Sequence, residues 1–150
     1  MRLPKPGKCV GRRFALKHPK LIEWENRMKS MFDRIDDWLE DRYGGAFQLH
    51  PNRPQRGRTS NREADGLFNI GAAFSLGYGS ELGRGYVIRV EMSTLEHIPK
   101  RTRKQIESDV ENLVREDLPR FFPGQSLTLE RDGNLLKIIG DFNLGSVIVK

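Results

Sequence analysis

Apolar residues recur at steps of three and four along the chain from Pro19 onward. The stripe consists of Leu21, Trp24, Met28, Met31, Ile35, Trp38 and Leu39. This spacing places the side chains on one face of an α-helix of about six turns. The proline suits the first helical position, and Gly44-Gly45 suits the end. The pattern therefore predicts a long first helix that buries this stripe.

Carboxylates occupy much of the rest of this helix. They are Glu23, Glu25, Asp33, Asp36, Asp37, Glu40 and Asp41. An acidic cluster can resemble a metal site, but charged residues opposite an apolar stripe usually serve solvation. We expect these acids to form a solvated face.

After residue 67 the apolar pattern changes to a period of two, which predicts two strands. One strand places Phe68, Ile70, Ala72, Phe74, Leu76 and Tyr78 on one face, and the next does so with Tyr86, Ile88, Val90 and Met92. Setting Tyr78 opposite Tyr86 puts Phe74 opposite Val90 and makes that face uniformly apolar.

The other face of this predicted hairpin is built mainly from small residues. Asn69, Gly71, Ala73 and Ser75 form a floor, with Arg89 and Glu91 on the neighbouring strand. Antiparallel sheets commonly leave one face to water, and we favour that interpretation. The alternative is a floor that accepts a ligand.

The segment "GYGSELGRGY", residues 77–86, joins the two strands and contains four glycines. Phosphate-binding glycine loops run from a strand into a helix, and a Walker loop also needs a lysine followed by Ser or Thr. This segment instead runs from strand to strand and lacks that pair. It predicts a hairpin connection, with Arg84 as a residue that could reach a ligand.

A second helix is predicted to begin near Thr102 and to end before Pro123-Gly124. Its apolar stripe is Ile106, Val110, Leu113, Val114, Leu118 and Phe121. Asp132-Gly133 predicts a type I′ turn between the strands that contain Leu127, Leu129, Leu136 and Ile138. Short extended segments are expected at Phe47–Leu49 and at Val147 to Val149.

Two amphipathic helices and strands with one apolar face predict an α+β fold. We expect a two-layer sandwich of two helices on a mainly antiparallel sheet. Because the central strands are glycine-rich, a partly closed barrel with packed helices is the alternative.

Length and composition limit the classes of protein to which the chain can belong. The chain has 150 residues, 37% hydrophobic and 31% charged, which suits one domain with a sizeable core. No apolar run approaches the ~18–20 residues of a membrane span, and no secretory signal pattern is visible. Cys9 is the only cysteine, which excludes an internal disulfide and CxxC metal sites. We expect a cytoplasmic protein with no membrane partner.

The net charge of +6 is concentrated near the N-terminus. Residues 1–20 sum to +7, which leaves −1 for the remaining 130. We therefore predict a basic arm over 1–17 and a single α+β domain over 18–150. The arm, with Arg12, Arg13 and Lys17, is either a phosphate-binding segment or a solvated tail.

Two further basic groups are candidate anion sites. Arg53, Arg56 and Arg58 lie in a long loop, and Lys100, Arg101, Arg103 and Lys104 surround the start of the second helix. Free N–H groups at a helix N-terminus and basic side chains both favour an anion. Arg84 and Arg89 complete the candidate set, and the alternative for each group is exposed surface charge.

Motifs for catalysis or metal binding are weak. His18, His50 and His97 are not spaced to share a metal, and no nucleotide or cofactor fingerprint is present. Three carboxylates, Glu91, Glu96 and Asp65, can meet at one edge of the hairpin for proton transfer. We predict no metal and no cofactor.

Three functions are consistent with these patterns. The first is a non-enzymatic binding module for an anionic partner, either nucleic acid or an acidic protein. The second is a structural protein that self-associates into a homo-oligomer through the Trp24/Trp38 helix or a hairpin edge. The third is a small enzyme that uses Arg84, Arg89 and Glu91 over the Gly71–Ala73 floor. We rank them in this order.

Overall fold

The chain folds into two long helices and four main strands. A computed structural model describes residues 19–77, 79, 82–140, 143–144 and 147–148. The main elements are α1 (Pro19–Tyr43), β1 (Phe68–Ser75), β2 (Gly85–Met92), α2 (Lys100–Phe121), β3 (Leu127–Asp132) and β4 (Leu135–Gly140). A 3-10 turn spans Arg62–Ala64, and two short strands, β5 (Asn143–Leu144) and β6 (Val147–Ile148), pair with each other. The prediction for Val149 lies outside the described residues.

The four main strands form one antiparallel sheet in the order β1-β2-β4-β3. Both helices pack on the sheet, α1 against β1 and α2 against β3, and the two helices contact each other. The predicted α+β architecture is confirmed. The sheet is open, since β1 and β3 are its two edges, so the barrel alternative is wrong.

The core lies between the helices and the sheet and follows the apolar periodicity. Its fully buried members include Met31, Ile35, Leu39, Phe68, Ile70, Ile106, Val110, Leu129 and Ile138. The step of three and four on the helices and the step of two on the strands bring these side chains into one cluster.

The register of β1 with β2 differs from the predicted one. Phe74 pairs with Tyr86, and Phe68 pairs with Met92. The residue opposite Phe74 is thus four positions earlier in β2 than the predicted partner, Val90. Because side chains alternate with a period of two, a shift by four keeps the same residues on the apolar face. The hydrophobic pattern cannot distinguish the two registers.

The glycine-rich segment joins β1 to β2, as predicted, and its described residues are 76, 77, 79 and 82–84. Gly77, Gly79 and Gly83 have positive φ angles of 78°, 80° and 74°. A Cβ on Gly77 would lie 2.0 Å from the Gly83 carbonyl oxygen, so only glycine permits this approach. β1 therefore ends at Ser75, sooner than predicted, and the prediction for Tyr78 lies outside the described residues.

The buried face of α1 is rotated relative to the predicted stripe. Phe32 and Asp36 are buried beside Ile35 and Leu39, whereas Trp38 is 36% exposed. The rotation arises because the loop after α1 covers the side of the helix that carries Asp36. The prediction that all the helix acids face water is wrong for Asp36.

Three local predictions are corrected. Residues 47–49 form no strand; Gln48 instead accepts a hydrogen bond from the Thr94 hydroxyl at 2.6 Å. α2 begins at Lys100, two residues before the predicted start, because Pro99 takes the N-cap position. The β3–β4 turn has Gly133 at φ 63° but Asn134 outside the positive-φ region, so it is not of type I′.

The rotated face of α1 predicts unequal effects of two substitutions within the predicted stripe. Ile35→Ala should lower the free energy of unfolding by about 2–5 kcal/mol, because Ile35 is fully buried. Trp38→Ala should cost under about 1 kcal/mol, since Trp38 is partly exposed, lies outside the core cluster and has the Arg42 guanidinium 5.4 Å from its ring. Urea unfolding of both variants measures the difference. Equal losses would contradict the observed orientation of α1.

Candidate functional site

The long loop between α1 and β1 is held in place by Arg53. Its guanidinium donates hydrogen bonds to carbonyl oxygens of the same loop and of the first residue of β1. The acceptors are Glu63 at 2.6 Å, Gly66 at 2.9 Å, Phe68 at 3.0 Å and Asp65 at 3.2 Å. Arg53 therefore serves as an internal support that satisfies backbone groups in an irregular segment.

Arg56 attaches the same loop to α1. Its guanidinium lies 2.6 Å from an Asp37 oxygen, 2.9 Å from an Asp36 oxygen and 3.3 Å from an Asp65 oxygen. Asp65 also accepts from the Gly57 and Thr59 amides. The charge of Arg56 is thus balanced within the protein, and its role in the fold is structural.

Asp36 is the least satisfied member of this cluster. Only 1% of it is exposed, and neither carboxylate oxygen accepts a well-aligned hydrogen bond from the described residues. Burial raises the pKa of Asp36 to about 7; Arg56 opposes the rise, and Glu40 and Asp37 add to it. For Asp65, burial also disfavours the charge, but hydrogen bonds from Thr59 and Gly57 hold its pKa below the usual value.

The other predicted cations of the loops lie on the surface. Arg58 is exposed, and none of the described side chains pairs with it. Arg84 is exposed immediately before β2. Arg12, Arg13 and Lys17 of the predicted arm lie outside the described residues.

A groove of about 600 Å³ opens between the end of β2 and the start of α2. Its lining includes Val90, Met92, Ile98, Arg103, Ile106 and Glu107. It exists because β2 continues to Met92 while only Tyr86, Val87 and Ile88 pair with β4. Among the described residues, no strand fills the space beside the rest of β2.

Four basic side chains lie at the start of α2, and one of them, Arg103, lines this groove. Lys100, Arg101, Arg103 and Lys104 are all exposed, and within the described part of the chain none forms a salt bridge. Pro99 is the N-cap and supplies no side-chain hydrogen bond. The first backbone bond of the helix runs from the Arg103 N–H to the Pro99 carbonyl at 3.0 Å, so earlier N–H groups have no helical acceptor. Charge and free donors here both favour an anion.

Three glutamates, Glu91, Glu96 and Glu107, line the groove, and two of them accept hydrogen bonds from neutral groups. Glu91 accepts from the Asn69 side chain at 3.2 Å, and Glu96 accepts from the Gln48 backbone N–H. Asp65 lies in the loop cluster on α1 and does not line the groove. Of the three acids predicted to meet for proton transfer, Glu91 and Glu96 thus line one groove, and Asp65 does not.

A second, smaller groove of about 230 Å³ adjoins the first and shares Val90 and Glu107 with it. Arg89 and Arg131 line it, so Arg89 is the one predicted cation outside α2 that lies near the helix start. Arg84 lines neither groove, and it precedes the opposite end of β2. Arg84 and Arg89, which were predicted to act together, are thus five residues apart along the chain, and only Arg89 lines a groove.

A pocket of about 200 Å³ lies between α1 and β1, and Gly71 is the one member of the predicted floor that lines it. Gly71 and Ala72 line it together with Trp24, Met28 and Tyr86. Burial, with a smaller contribution from Glu25, raises the pKa of the Tyr86 hydroxyl to about 12. Arg84, Arg89 and Glu91 do not line this pocket, so the residues assigned to an enzyme site do not surround it.

Two features of these sites escaped the sequence analysis. The signal for Asp36 was its position four residues after the apolar Phe32, which continues the buried arc of α1. No sequence pattern near β2 indicates which of its residues pair with β4, because that pairing depends on where the distant strand β4 begins. In the described ranges, no three His, Cys, Asp or Glu side chains are arranged to hold a metal, and no helix is long and apolar enough to cross a membrane.

The buried Asp36 predicts an unusual dependence of stability on pH. Since burial raises its pKa from 3.8 to about 7, the folded protein binds this proton more tightly than the unfolded chain. The contribution of Asp36 to stability should therefore fall as pH rises through that window. Asp65 and Glu111 have lowered pKa values, so their contributions are complete above about pH 5.

We expect the wild-type protein to lose more stability between pH 5 and pH 8 than Asp36→Asn does, because Asn cannot ionise. Urea unfolding at several pH values measures how the free energy of unfolding changes with pH in each protein. The histidines contribute equally to both proteins, so the difference between the two slopes reports Asp36. Parallel slopes would contradict the buried, weakly hydrogen-bonded state of Asp36.

Comparison with known proteins places the chain in a family. A family model described as "Uncharacterised protein" matches residues 19–140. A protein of Borreliella burgdorferi described as "Uncharacterized protein" is 39% identical over 123 residues, which cover 82% of this chain and 96% of that protein. No solved structure shows significant similarity to the chain. Because the family model spans both helices and the whole four-stranded sheet, the chain belongs to that family.

Proposed function

We propose that the protein is a non-enzymatic binding module for an anionic partner, either nucleic acid or an acidic protein. The observation that carries the proposal is the start of α2. Lys100, Arg101, Arg103 and Lys104 are exposed there around backbone N–H groups that receive no side-chain cap. An anion placed at this point would accept hydrogen bonds and neutralise charge together.

The arrangement is unfavourable for the isolated helix, which supports a role in binding. The positive end of the helix dipole disfavours nearby cations by a few tenths of a kcal/mol each. The first turn of α2 contains no acid to offset this effect. An anionic partner reverses the sign of the interaction, so the same side chains that weaken the helix would stabilise a complex.

The remaining predicted cations contribute unequally to this proposal. Arg53 and Arg56 are committed to the loop, and their charges support the fold. Arg89 lines the adjoining groove and can extend the site along β2. Arg58 and Arg84 lie elsewhere on the surface, and the arm with Arg12, Arg13 and Lys17 would add attraction without specificity.

Self-association is a second candidate, favoured by the character of the edge strand β1. Its sequence, FNIGAAFS, has no charged residue and no proline, whereas the other edge strand, β3, contains Glu130, Arg131 and Asp132. Natural edge strands usually carry charges or proline against edge-to-edge pairing. Sedimentation velocity tests this candidate: it requires an oligomer whose mass is unchanged in moderate salt, and a monomer at every concentration would exclude it.

Charge reversal at the start of α2 should separate binding from stability. Lys104→Glu should weaken binding of a fluorescent 20-nucleotide oligothymidylate or a polyglutamate peptide, and for the oligonucleotide it should lower the salt slope by about 1. The same change should raise the stability of the helix by a few tenths of a kcal/mol, because an acid suits a helix N-terminus. Fluorescence anisotropy from about 20 to 200 mM salt and thermal unfolding measure the two effects.

Arg58→Glu is the matched control. Arg58 is exposed and unpaired among the described side chains, and its reversal changes the net charge equally. If binding depends only on net charge, both variants will weaken it to the same extent, which would exclude α2 as the site. If neither probe binds the wild-type chain at low salt, the proposed function is wrong.

A further inference from the structure

β1 is an edge strand, and only alternate residues of its backbone bond to β2. In the part of the chain that the structure describes, β2 is the only strand that pairs with β1. The Ser93 N–H donates to the Leu67 carbonyl at 2.7 Å, so Leu67 and every second residue after it direct their backbone groups to β2. Ile70, Ala72 and Phe74 therefore direct their N–H and C=O groups to the outer side of the strand.

Only the second half of this outer side is open. Ile70 is 1% exposed, and a Glu63 carboxylate oxygen lies 3.2 Å from the position of a Cβ on Gly71, so the first half is covered. Ala72 and Phe74 are partly exposed. Among the described residues, the N–H and C=O groups of these two form no hydrogen bond. Four backbone groups are thus free at the open part of the edge.

The open edge lacks the features by which natural edge strands avoid pairing. Residues 67–77, with the sequence LFNIGAAFSLG, contain no charged side chain and no proline. The register with β2 is continuous and has no bulge. Leu76, directly after β1, is 45% exposed. A charged partner would find no opposite charge on this strand, whereas a second neutral, apolar strand would meet no repulsion.

Two copies of this edge match each other under two-fold symmetry. With Ala73 next to the axis, Ala72 lies opposite Phe74 of the second copy, and all four free groups of each copy are paired. An axis at Ala72 would set Phe74 opposite Ile70, whose edge is covered. An axis at Phe74 would set Ala72 opposite Leu76, which lies beyond the end of β1. The free groups therefore select one register.

The side chains also match in this register. Ala73 lies opposite Ala73 of the second copy, and Gly71 lies opposite Ser75, so small residues meet on the face away from the helices. On the helix side, the apolar Ala72 and Phe74 lie opposite each other. The axis is perpendicular to the sheet, so the eight main strands of two copies form one sheet with the four helices on one side.

We propose that two copies of this chain associate through β1, antiparallel, with Ala73 next to the two-fold axis. The inference develops self-association, the second candidate under the proposed function, and is independent of the anion site at α2. Four hydrogen bonds between the strands and a narrow contact make a weak dimer that forms with rising protein concentration.

Disulfide trapping locates the pairing. The native cysteine, Cys9, is first changed to serine, and Ala73→Cys is then oxidised with copper phenanthroline in air. A non-hydrogen-bonded pair sets the two Cα atoms about 4.5 Å apart, which suits a disulfide, so a covalent dimer should form. Ser75→Cys is the control for the register. Ser75 lies opposite Gly71, roughly 13 Å from Ser75 of the second copy, and should not be trapped.

Charge at the centre of the contact should prevent association. Ala73→Lys sets two like charges directly opposite each other and should lower the association constant by at least about tenfold. Thr128→Lys is the matched control, because Thr128 is equally exposed on the other edge strand, β3, and should leave the constant unchanged. Sedimentation velocity from about 10 to 500 µM protein measures both, and the wild-type dimer should not change in moderate salt.

Three outcomes would overturn the inference. One is a chain that stays monomeric at every concentration and is not trapped by Ala73→Cys. Another is a dimer that Ala73→Lys does not weaken, which would place the contact on a different surface. The third is equal trapping at residues 73, 75 and 128, with Thr128→Cys as the variant on β3, since equal trapping reports random collision. If Ala73→Lys fails to fold, the cysteine variants still decide the question.

The same variants separate this inference from the anion site. Lys104→Glu should leave the dimer unchanged, and Ala73→Lys should not weaken binding of the oligothymidylate. Loss of the dimer with intact anion binding in the wild-type chain would overturn the inference alone. A dimer that dissociates in Lys104→Glu would also overturn it, because the start of α2 would then be part of the contact.

Discussion

The three residue pairs that join β2 to β4 hold the two hairpins of the sheet together. Tyr86, Val87 and Ile88 are the only residues of β2 that contact β4 in the ladder. Next to this joint, Gly85 approaches β4 so closely that an added Cβ would lie 2.6 Å from the Ile138 carbonyl oxygen. The contact between β2 and β4 is thus close but only three residue pairs long. Each hairpin also relies on its own helix, since α1 packs on β1 and α2 on β3. Because the ladder between β2 and β4 ends at Ile88, residues 89–92 pair, among the described strands, only with β1.

The loop between α1 and β1 shows how an irregular segment is stabilised without regular hydrogen bonding. Arg53 donates hydrogen bonds to backbone carbonyl oxygens of the loop, and Arg56 forms ion pairs with several carboxylates. These two guanidinium groups stabilise the loop in place of the backbone hydrogen bonds that a strand or helix would have. The loop in turn buries Asp36 against α1. Breaking a buried ion pair leaves an uncompensated charge, so Arg56 is needed most when Asp36 is ionised.

The sequence predicted the features that depend on local periodicity. Both helices, the apolar strand faces and the two hairpins follow from steps of three, four and two. It did not predict the register of Phe74 with Tyr86, because an even shift leaves the hydrophobic alternation unchanged. It also did not predict the internal role of Arg53, since a guanidinium that binds carbonyls looks identical in sequence to one that faces water. The helix-start cations were recognisable because Pro99 and the following bases are adjacent in the chain.

Two local departures from the rules of folding meet beside α2. One is a helix start with four cations and no side-chain cap; the other is the end of β2, which among the described strands pairs only with β1. Each is tolerable separately, because exposed charges and exposed backbone groups are solvated. The groove between them is lined by Glu91, Glu96 and Glu107 as well as by Arg103, so the cations of α2 lie next to carboxylates. Proteins that are otherwise locally consistent depart from these rules chiefly where they bind or react. The placement of exposed cations around free backbone N–H groups, rather than the total charge, is therefore what supports the proposed anion site at the start of α2.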